Sequence, residues 1–402
     1  MMQHIAVLKN TIQKYSWGSE TAIAELLGLQ PEPGRPMAEL WMGAHPKAPS
    51  LVKTGGAWVS LEVLIEENPI DILGEPVAEK FGSRLPFLFK VLAAARPLSL
   101  QAHPSRQQAL EGYERENRLG ISMDAANRNY KDDNHKPECL CALTPFWAMS
   151  GFRDIGQTLH LLEKLALSGL KAQVTRLREQ PDASGLKAFF RFLMTLPDDQ
   201  KRKLSAEALA KALPLGSSSP VFSWMTALAN EYPGDIGILS PTFLNLVELQ
   251  PGGAVALPAG QLHAYLQGVG IELMANSDNV LRGGLTTKHV DVPELLDVLH
   301  FTPRSIRRLL PDPAAGCEWV YASDFEEFVL SVITVTADTD FVSPTIRGAE
   351  ILLCTAGSST ITATDSGEKL TLDRGTSMLV PAAIPQYEIS GDATVYKAAV
   401  PL

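Results

Sequence analysis

Two histidines, a carboxylate and an amide fall in three short stretches of this sequence: Gln101 and His103 in SLQAHP, Glu138 in DNHKPECL, and His263 in PAGQLHAY. Imidazole nitrogens with carboxylate and amide oxygens make a mixed shell suited to zinc or a similar first-row ion, leaving room for water or substrate. Gln101 and His103 are two apart, so an extended chain turns both to one side together with Ser99, while Leu98, Leu100 and Ala102 face apolar packing. Lys136 and Glu138 repeat that spacing across Pro137, which favours extended backbone. Lys136 reads either as a salt-bridge partner or as a catalytic cation whose neutral form a metal and burial would favour. His135 points the opposite way and reads as structural, and His263 shares its face with Tyr265.

A second polar concentration lies downstream in GIELMANSDNVLRGGLTTKHVD, which holds Glu272, Asp278, Arg282 and Lys288. Such a stretch is either a solvated loop or the mouth of a pocket, and Gly283 and Gly284 after Arg282 permit close approach of a ligand. Cys139 and Cys141 alternate with Glu138, which puts them on the other face as small core residues, and the four cysteines fit neither a disulfide framework nor a zinc knuckle. The same donors could hold iron for oxygen chemistry, or the chain could be a non-catalytic sugar-binding protein.

These donors need rigid elements to bring them together. A length of 402 residues allows two or three domains, and the net charge of −10 leaves no basic stripe for nucleic acid. The N-terminus lacks the apolar core of a signal peptide, and no stretch approaches the roughly 18 apolar residues of a membrane span, so a cytoplasmic monomer is expected. Strand-like sequence fills residues 1–153, a helical block follows over 154–232, and β character returns over 233–315 and 316–402. Ser105 and Gly120 bracket a predicted helix, and Leu186, Phe189, Phe190 and Leu193 form one apolar helix face. LPLGSSSP reads as a linker and Asp365-Ser366-Gly367 as a hairpin turn.

One internal repeat organises the β segments. Gly252 leads to Pro258 and Gly260, and Gly375 leads at the same spacing to Pro381 and Ala383. This strand-then-tight-turn pattern resembles a cupin motif and predicts two small antiparallel, jelly-roll type barrels with a helical insertion. Aligned this way, Gln386 stands where the first copy has His263, so the second barrel is expected to be metal-free.

Taken together, KYSWGS, AELWMGAHP, QAHP, YKDDNHKPE and ANSDNVLRGGLTTKHVD closely resemble the type I mannose-6-phosphate isomerase (phosphomannose isomerase) family, from about Leu8 to the C-terminus. The resemblance implies one zinc per chain, held by Gln101, His103, Glu138 and His263, and interconversion of mannose 6-phosphate and fructose 6-phosphate. It also implies Arg282 as the catalytic arginine, Lys136, Glu272 and Asp278 in the same pocket, and Trp17, Lys90, Ser99 and Lys288 near the substrate. A mannose-metabolising, carbohydrate-processing role in the cytoplasm follows from the same likeness.

Overall fold

A computed structural model describes residues 4–314 and 316–402. The chain is mainly β with helices, and its strands form two eleven-stranded antiparallel sheets. The first runs through Arg308–Leu309, Ala254–Leu257, Glu138–Ala142, His263–Ala275, Phe87–Ala94, Glu39–Gly43 and Thr11–Gln13. Two further arms branch from it: Leu100–Ala102 with Leu281–Gly284, and Phe146–Phe152 with Leu244–Leu249.

The pivot is the thirteen-residue strand His263–Ala275. Its first half pairs with Leu100–Ala102 and Phe146–Phe152, its second half with Phe87–Ala94 and Glu138–Ala142. Gly268, at φ 132°, sits where the strand changes partners. A Cβ there would lie 2.7 Å from the Phe146 ring and 2.8 Å from Pro145 O, so only glycine fits this bend. The strands around it are buried along their whole length. Phe87–Ala94 and Glu138–Ala142 contain no exposed position, which makes Lys90, Glu138 and Glu272 charges in an apolar interior.

The helices Ile155–Leu165, Lys171–Glu179, Ala183–Thr195, Asp198–Ala212 and Pro220–Glu231 form the expected helical block. Leu186, Phe189, Phe190 and Leu193 are buried, and they share a core with Leu100, Ala102, Leu262, Ala264 and Leu281. The block is therefore the back wall of the strands that carry Gln101, His103, His263 and Arg282. Leu98 departs from the alternation. The strand begins only at Leu100, and Leu98 packs with Trp17 and Tyr265 instead. The predicted helix after Ser105 spans Arg106–Arg118 with a full capping box from Ser105 and Gln108, and Gly120 follows at φ 68°. LPLGSSSP is no open linker, because Leu213–Ser218 winds into a 3-10 turn.

The second sheet runs through Asp312–Pro313, Glu318–Tyr321, Val329–Val335, Tyr387–Ala399, Glu350–Ala363, Ser377–Val380, Ala6–Lys9, Leu51–Thr54 and Ala57–Ser60. Two findings differ from the sequence-based expectation. Ala6–Lys9, Leu51–Thr54 and Ala57–Ser60 pair with the C-terminal strand Ser377–Val380 or with one another, so the N-terminal residues do not all belong to the first sheet. Neither sheet closes into a barrel by hydrogen bonding among the described residues. The first sheet ends at the short strands Arg308–Leu309 and Thr11–Gln13, which do not pair with each other.

The internal repeat is visible in the backbone. Ala254–Leu257 then His263–Ala275 corresponds to Ser377–Val380 then Tyr387–Ala399, a four-residue strand before a thirteen-residue one in each copy. Gly252 and Gly375 have φ of 83° and 85°, and Gly268 and Gly391 have φ of 132° and 129°. Among the described residues, no helix is long and apolar enough to cross a membrane.

The bend at Gly268 gives a direct test of this architecture. Gly268→Ala should cost roughly 3 kcal/mol, from steric overlap and unfavourable φ together. Gly367→Ala, at a turn with φ 70° and nothing near its missing Cβ, should cost only about 1 kcal/mol. Denaturant unfolding of both variants checks this, and equal losses would remove the steric argument.

Candidate metal centre

Three of the four proposed ligands converge. His103 Nε2 lies 3.3 Å from Glu138 Oε1, and His263 Nε2 lies 3.4 Å from Glu138 Oε2. One ligand atom from each falls within 4.8 Å of the other two, and all three side chains are buried. Their positions follow from register. Gln101 stands directly opposite His263 in the paired strands, and His103 follows two residues later on the same face. Arg282 is the other register partner of Gln101, so the Leu100–Ala102 strand lies between the strands bearing His263 and Arg282.

The second ring nitrogens fix the histidines. His103 Nδ1 is 2.6 Å from Asn279 O, and His263 Nδ1 is 2.9 Å from Gln261 O. A carbonyl can only accept, so each Nδ1 carries the proton and each Nε2 presents a bare lone pair. His103 Nε2, His263 Nε2 and Glu138 Oε2 have no hydrogen-bond partner although all are buried. Three electron-rich atoms converging on one buried point repel each other unless a cation sits among them. The donor set fits a divalent first-row ion.

Charge around the cluster supports that state. Burial lowers the His103 pKa to about 4, against the pull of Glu138, which keeps the imidazole neutral near pH 7. Burial alone would raise Glu138. The Lys136 ammonium, 3.2 Å from Glu138 Oε1, overrides it and holds the carboxyl well below its ordinary value. Lys136 thus faces Glu138 as the alternation predicted, while His135 points away to Glu327 at 2.6 Å. Cys139 and Cys141 are buried in a separate apolar cluster with Ile271 and Leu273, as expected.

Beside the cluster lies a second buried charge group. Lys90 Nζ is 2.9 Å from Glu272 Oε2 and 3.6 Å from Glu39 Oε2, and Trp41 Nε1 donates to Glu39 Oε2 at 2.6 Å. Burial would lower Lys90, but Glu272 and Glu39 raise it and hold it charged. Lys90 was expected near substrate. Its charge is instead compensated by two carboxylates inside the sheet. Asp278 is half-buried and meets Lys47 Nζ at 2.8 Å and His45 Nε2 at 3.6 Å. Burial lowers His45 to about 4 despite Asp278, so His45 is neutral there.

Arg282 is half-buried and Lys288 exposed; burial lowers both, and Arg282 lowers Lys288 further. Neither has a carboxylate partner among the described residues, so the two leave an uncompensated positive region. Trp17 stacks on Tyr15 at 5.6 Å and packs toward Tyr265, and Ser99 is half-buried just before the Leu100–Ala102 strand. A cavity of about 810 Å³ is lined by His45 and Asp278 but by none of the proposed ligands.

Sequence reasoning missed Glu39, Trp41 and His45, inside a stretch quoted only for its overall likeness, and Lys47 directly after it. A signal was present: Ala-His-Pro occurs at Ala44-His45-Pro46 and again at Ala102-His103-Pro104, where the histidine is a ligand candidate. In the C-terminal copy, Glu350 stands across from Val380 and Ala399 much as Glu138 stands across from Leu257 and Met274. There, however, Lys397 Nζ lies 3.4 Å and Arg347 Nη1 3.8 Å from Glu350, and the Gln386 amide donates to Ser343 O at 2.9 Å.

Comparison with known proteins agrees with this geometry. The family model "Phosphomannose isomerase type I, catalytic domain" matches residues 5–155. Over 379 residues the chain is 43% identical to mannose-6-phosphate isomerase of Escherichia coli (strain K12), covering 93% of this chain and 94% of that one. The chain belongs to the type I phosphomannose isomerase family. The human mannose-6-phosphate isomerase is 33% identical over 410 residues, with 93% of each chain covered. A crystal structure of mannose 6-phosphate isomerase with zinc bound superposes with a TM-score of 0.90 at 39% identity, covering 99% of this chain and 100% of that one. The Salmonella typhimurium enzyme bound to its substrate fructose 6-phosphate and to zinc also gives a TM-score of 0.90, at 39% identity and the same coverage. The family model's match reaches His103 and Glu138 but ends before His263 and Arg282, which the full-length relatives cover.

The neutral His45 carries a consequence for acid stability. Its folded pKa of about 4 lies below the unfolded value near 6.5, so the unfolded chain binds the extra proton first as pH falls. Stability from this group is complete above about pH 6.5 and is lost on acidification toward pH 4. Wild type should therefore lose on the order of 2–3 kcal/mol more than His45→Gln between pH 6.5 and 4.5. Urea unfolding at the two pH values measures the difference, and parallel losses would contradict a buried neutral His45.

Proposed function

We propose that the chain is a zinc-dependent isomerase interconverting mannose 6-phosphate and fructose 6-phosphate. The observation that carries this is the meeting of two bare imidazole nitrogens with the Glu138 carboxylate, on strands in register with Gln101 and Arg282. Family membership and relatives described as mannose-6-phosphate isomerases support the substrate assignment. Gln101, His103, Glu138 and His263 hold one zinc, which when bound supplies Lewis-acid charge for the sugar oxygens.

The isomerisation moves a proton between C1 and C2 while negative charge builds on oxygen through an enediolate. Lys136, on the Glu138 face, is our proton carrier; Glu272, bound by Lys90 at 2.9 Å, is the alternative carboxylate base. Lys90 then positions Glu272 and does not itself meet phosphate. Arg282 remains charged at any working pH, so it stabilises the enediolate and does not act as base. Asp278 with His45 assists ring opening, Lys288 and Ser99 meet the phosphate, and Trp17 lines the same side. We further assign residues 1–153 with 233–315 to a cupin-like catalytic unit, less the strands Ala6–Lys9, Leu51–Thr54 and Ala57–Ser60 that join the second sheet, 154–232 to a helical insertion, and 316–402 to a metal-free cupin-like unit. The repeated strand pair and the cations beside Glu350 support that division. The enzyme is taken as cytoplasmic and monomeric, without nucleic-acid or membrane partners.

A coupled assay on mannose 6-phosphate, run before and after chelation, tests the reading. Activity should vanish on stripping and return with stoichiometric zinc. Full turnover by metal-free protein, or none with zinc loaded, would sink it. Arg282→Ala should lower kcat by roughly 10²–10³ while zinc stays bound. A near-normal kcat in that variant would remove Arg282 from the mechanism.

A further inference from the structure

Asn279 is fully buried between the segment carrying Asp278 and Arg282 and the loop leading to Lys136 and Glu138. Its side-chain oxygen accepts from the backbone N–H of Lys131 at 2.6 Å and of Asp132 at 3.2 Å. Its amide nitrogen donates to Asp132 O at 2.8 Å, Asn134 O at 2.8 Å and Asp132 Oδ1 at 3.2 Å. Backbone N–H groups can only donate and carbonyls only accept, so these partners fix which end of the amide is which. The residue's own carbonyl takes the remaining contact, from His103 Nδ1 at 2.6 Å. Asp132 closes the same knot from the other side, accepting from Ser277 Oγ at 2.8 Å and from Asp278 N at 2.7 Å.

Only an amide satisfies this position. It needs an acceptor for two N–H groups at one end and a donor toward two carbonyls and a carboxylate at the other. Aspartate would keep the first and set a second carboxylate against Asp132. Alanine would leave the Lys131 and Asp132 N–H groups without the Asn279 oxygen they donate to.

We infer that Asn279 is a positioning residue for the metal centre: it touches neither metal nor substrate, but its main-chain carbonyl meets His103 Nδ1 while its side chain clamps the Lys131–Asn134 loop that leads to Lys136 and Glu138. One residue thus ties the orientation of one ligand to the placement of another, its side chain holding the backbone that carries the carbonyl. The inference rests on the zinc reading above and adds a residue that the ligand set does not include.

The test compares wild type, Asn279→Ala and Asn279→Asp, with Ser277→Ala as a milder variant should the first two fail to fold. Zinc affinity is read by chelator competition, and the His103 tautomer by ¹⁵N-histidine NMR of the metal-free protein. Asn279 variants should bind zinc about 10–100-fold more weakly and show a mixed rather than single His103 tautomer, because the carbonyl they retain is no longer held in place by the side chain. Ser277→Ala, which frees one contact to Asn279 N and one to Asp132, should weaken zinc by a few-fold in the same direction. A folded Asn279 variant with zinc affinity within twofold of wild type and an unchanged tautomer would overturn the positioning role while leaving the metal reading intact. The same result in Ser277→Ala, if it alone folds, would also overturn it. Wild-type protein that holds no zinc would overturn the metal reading and this inference with it.

Discussion

Three lone pairs converging on one buried spot are the constraint on which the structure depends. His103, Glu138 and His263 bring an oxygen and two nitrogens together where no protein group among the described residues satisfies them. Such an arrangement is unfavourable by itself, since each atom has lost its hydration and gained only like-signed neighbours. It becomes favourable when a divalent ion takes the centre, and the carbonyls behind each imidazole keep the nitrogens ready for it. Lys136 partly offsets the Glu138 charge from one side, but a single ammonium cannot answer both imidazole nitrogens.

The architecture around that point serves to keep it dry and rigid. His263–Ala275 feeds two sets of partners and turns from one to the other at Gly268, so one strand can present His263 to the ligand cluster and Glu272 to Lys90. The helical block contributes no ligand, yet its leucines and phenylalanines bury the reverse face of the Leu100–Ala102 and Leu281–Gly284 strands. Side chains on one face are held in place by what packs on the other. The C-terminal copy shows the same strand plan with a different answer to a buried carboxylate: Glu350 is met by Lys397 from its own sheet and by Arg347 just ahead of its own strand.

Much of this was readable one segment at a time. Alternation put Gln101 with His103, Lys136 with Glu138, and the cysteines behind, because those relations span two or three residues of extended chain. The Gly-Pro repeat and the apolar helix face were equally local. Outside the ligand set that the motifs marked, what escaped was pairing that needs two distant segments at once. Lys90 was expected near the substrate, and the sequence does not say that Glu272 and Glu39 flank it across the sheet. His45 and Lys47 carried no expectation, because their partner Asp278 lies more than 200 residues away in the chain. The N-terminal strands were placed with the nearer unit, whereas Ala6–Lys9 pairs with Ser377–Val380.

The sequence by itself determined the chemistry available: which donors exist, which face of each strand they occupy, and which family their motifs belong to. Those properties are set by residue type and by backbone periodicity, both local. Tertiary structure alone decided which charges are spent on each other and which stay free for a ligand. Register between remote strands and exclusion of water control that choice, and neither is written in any single stretch of chain.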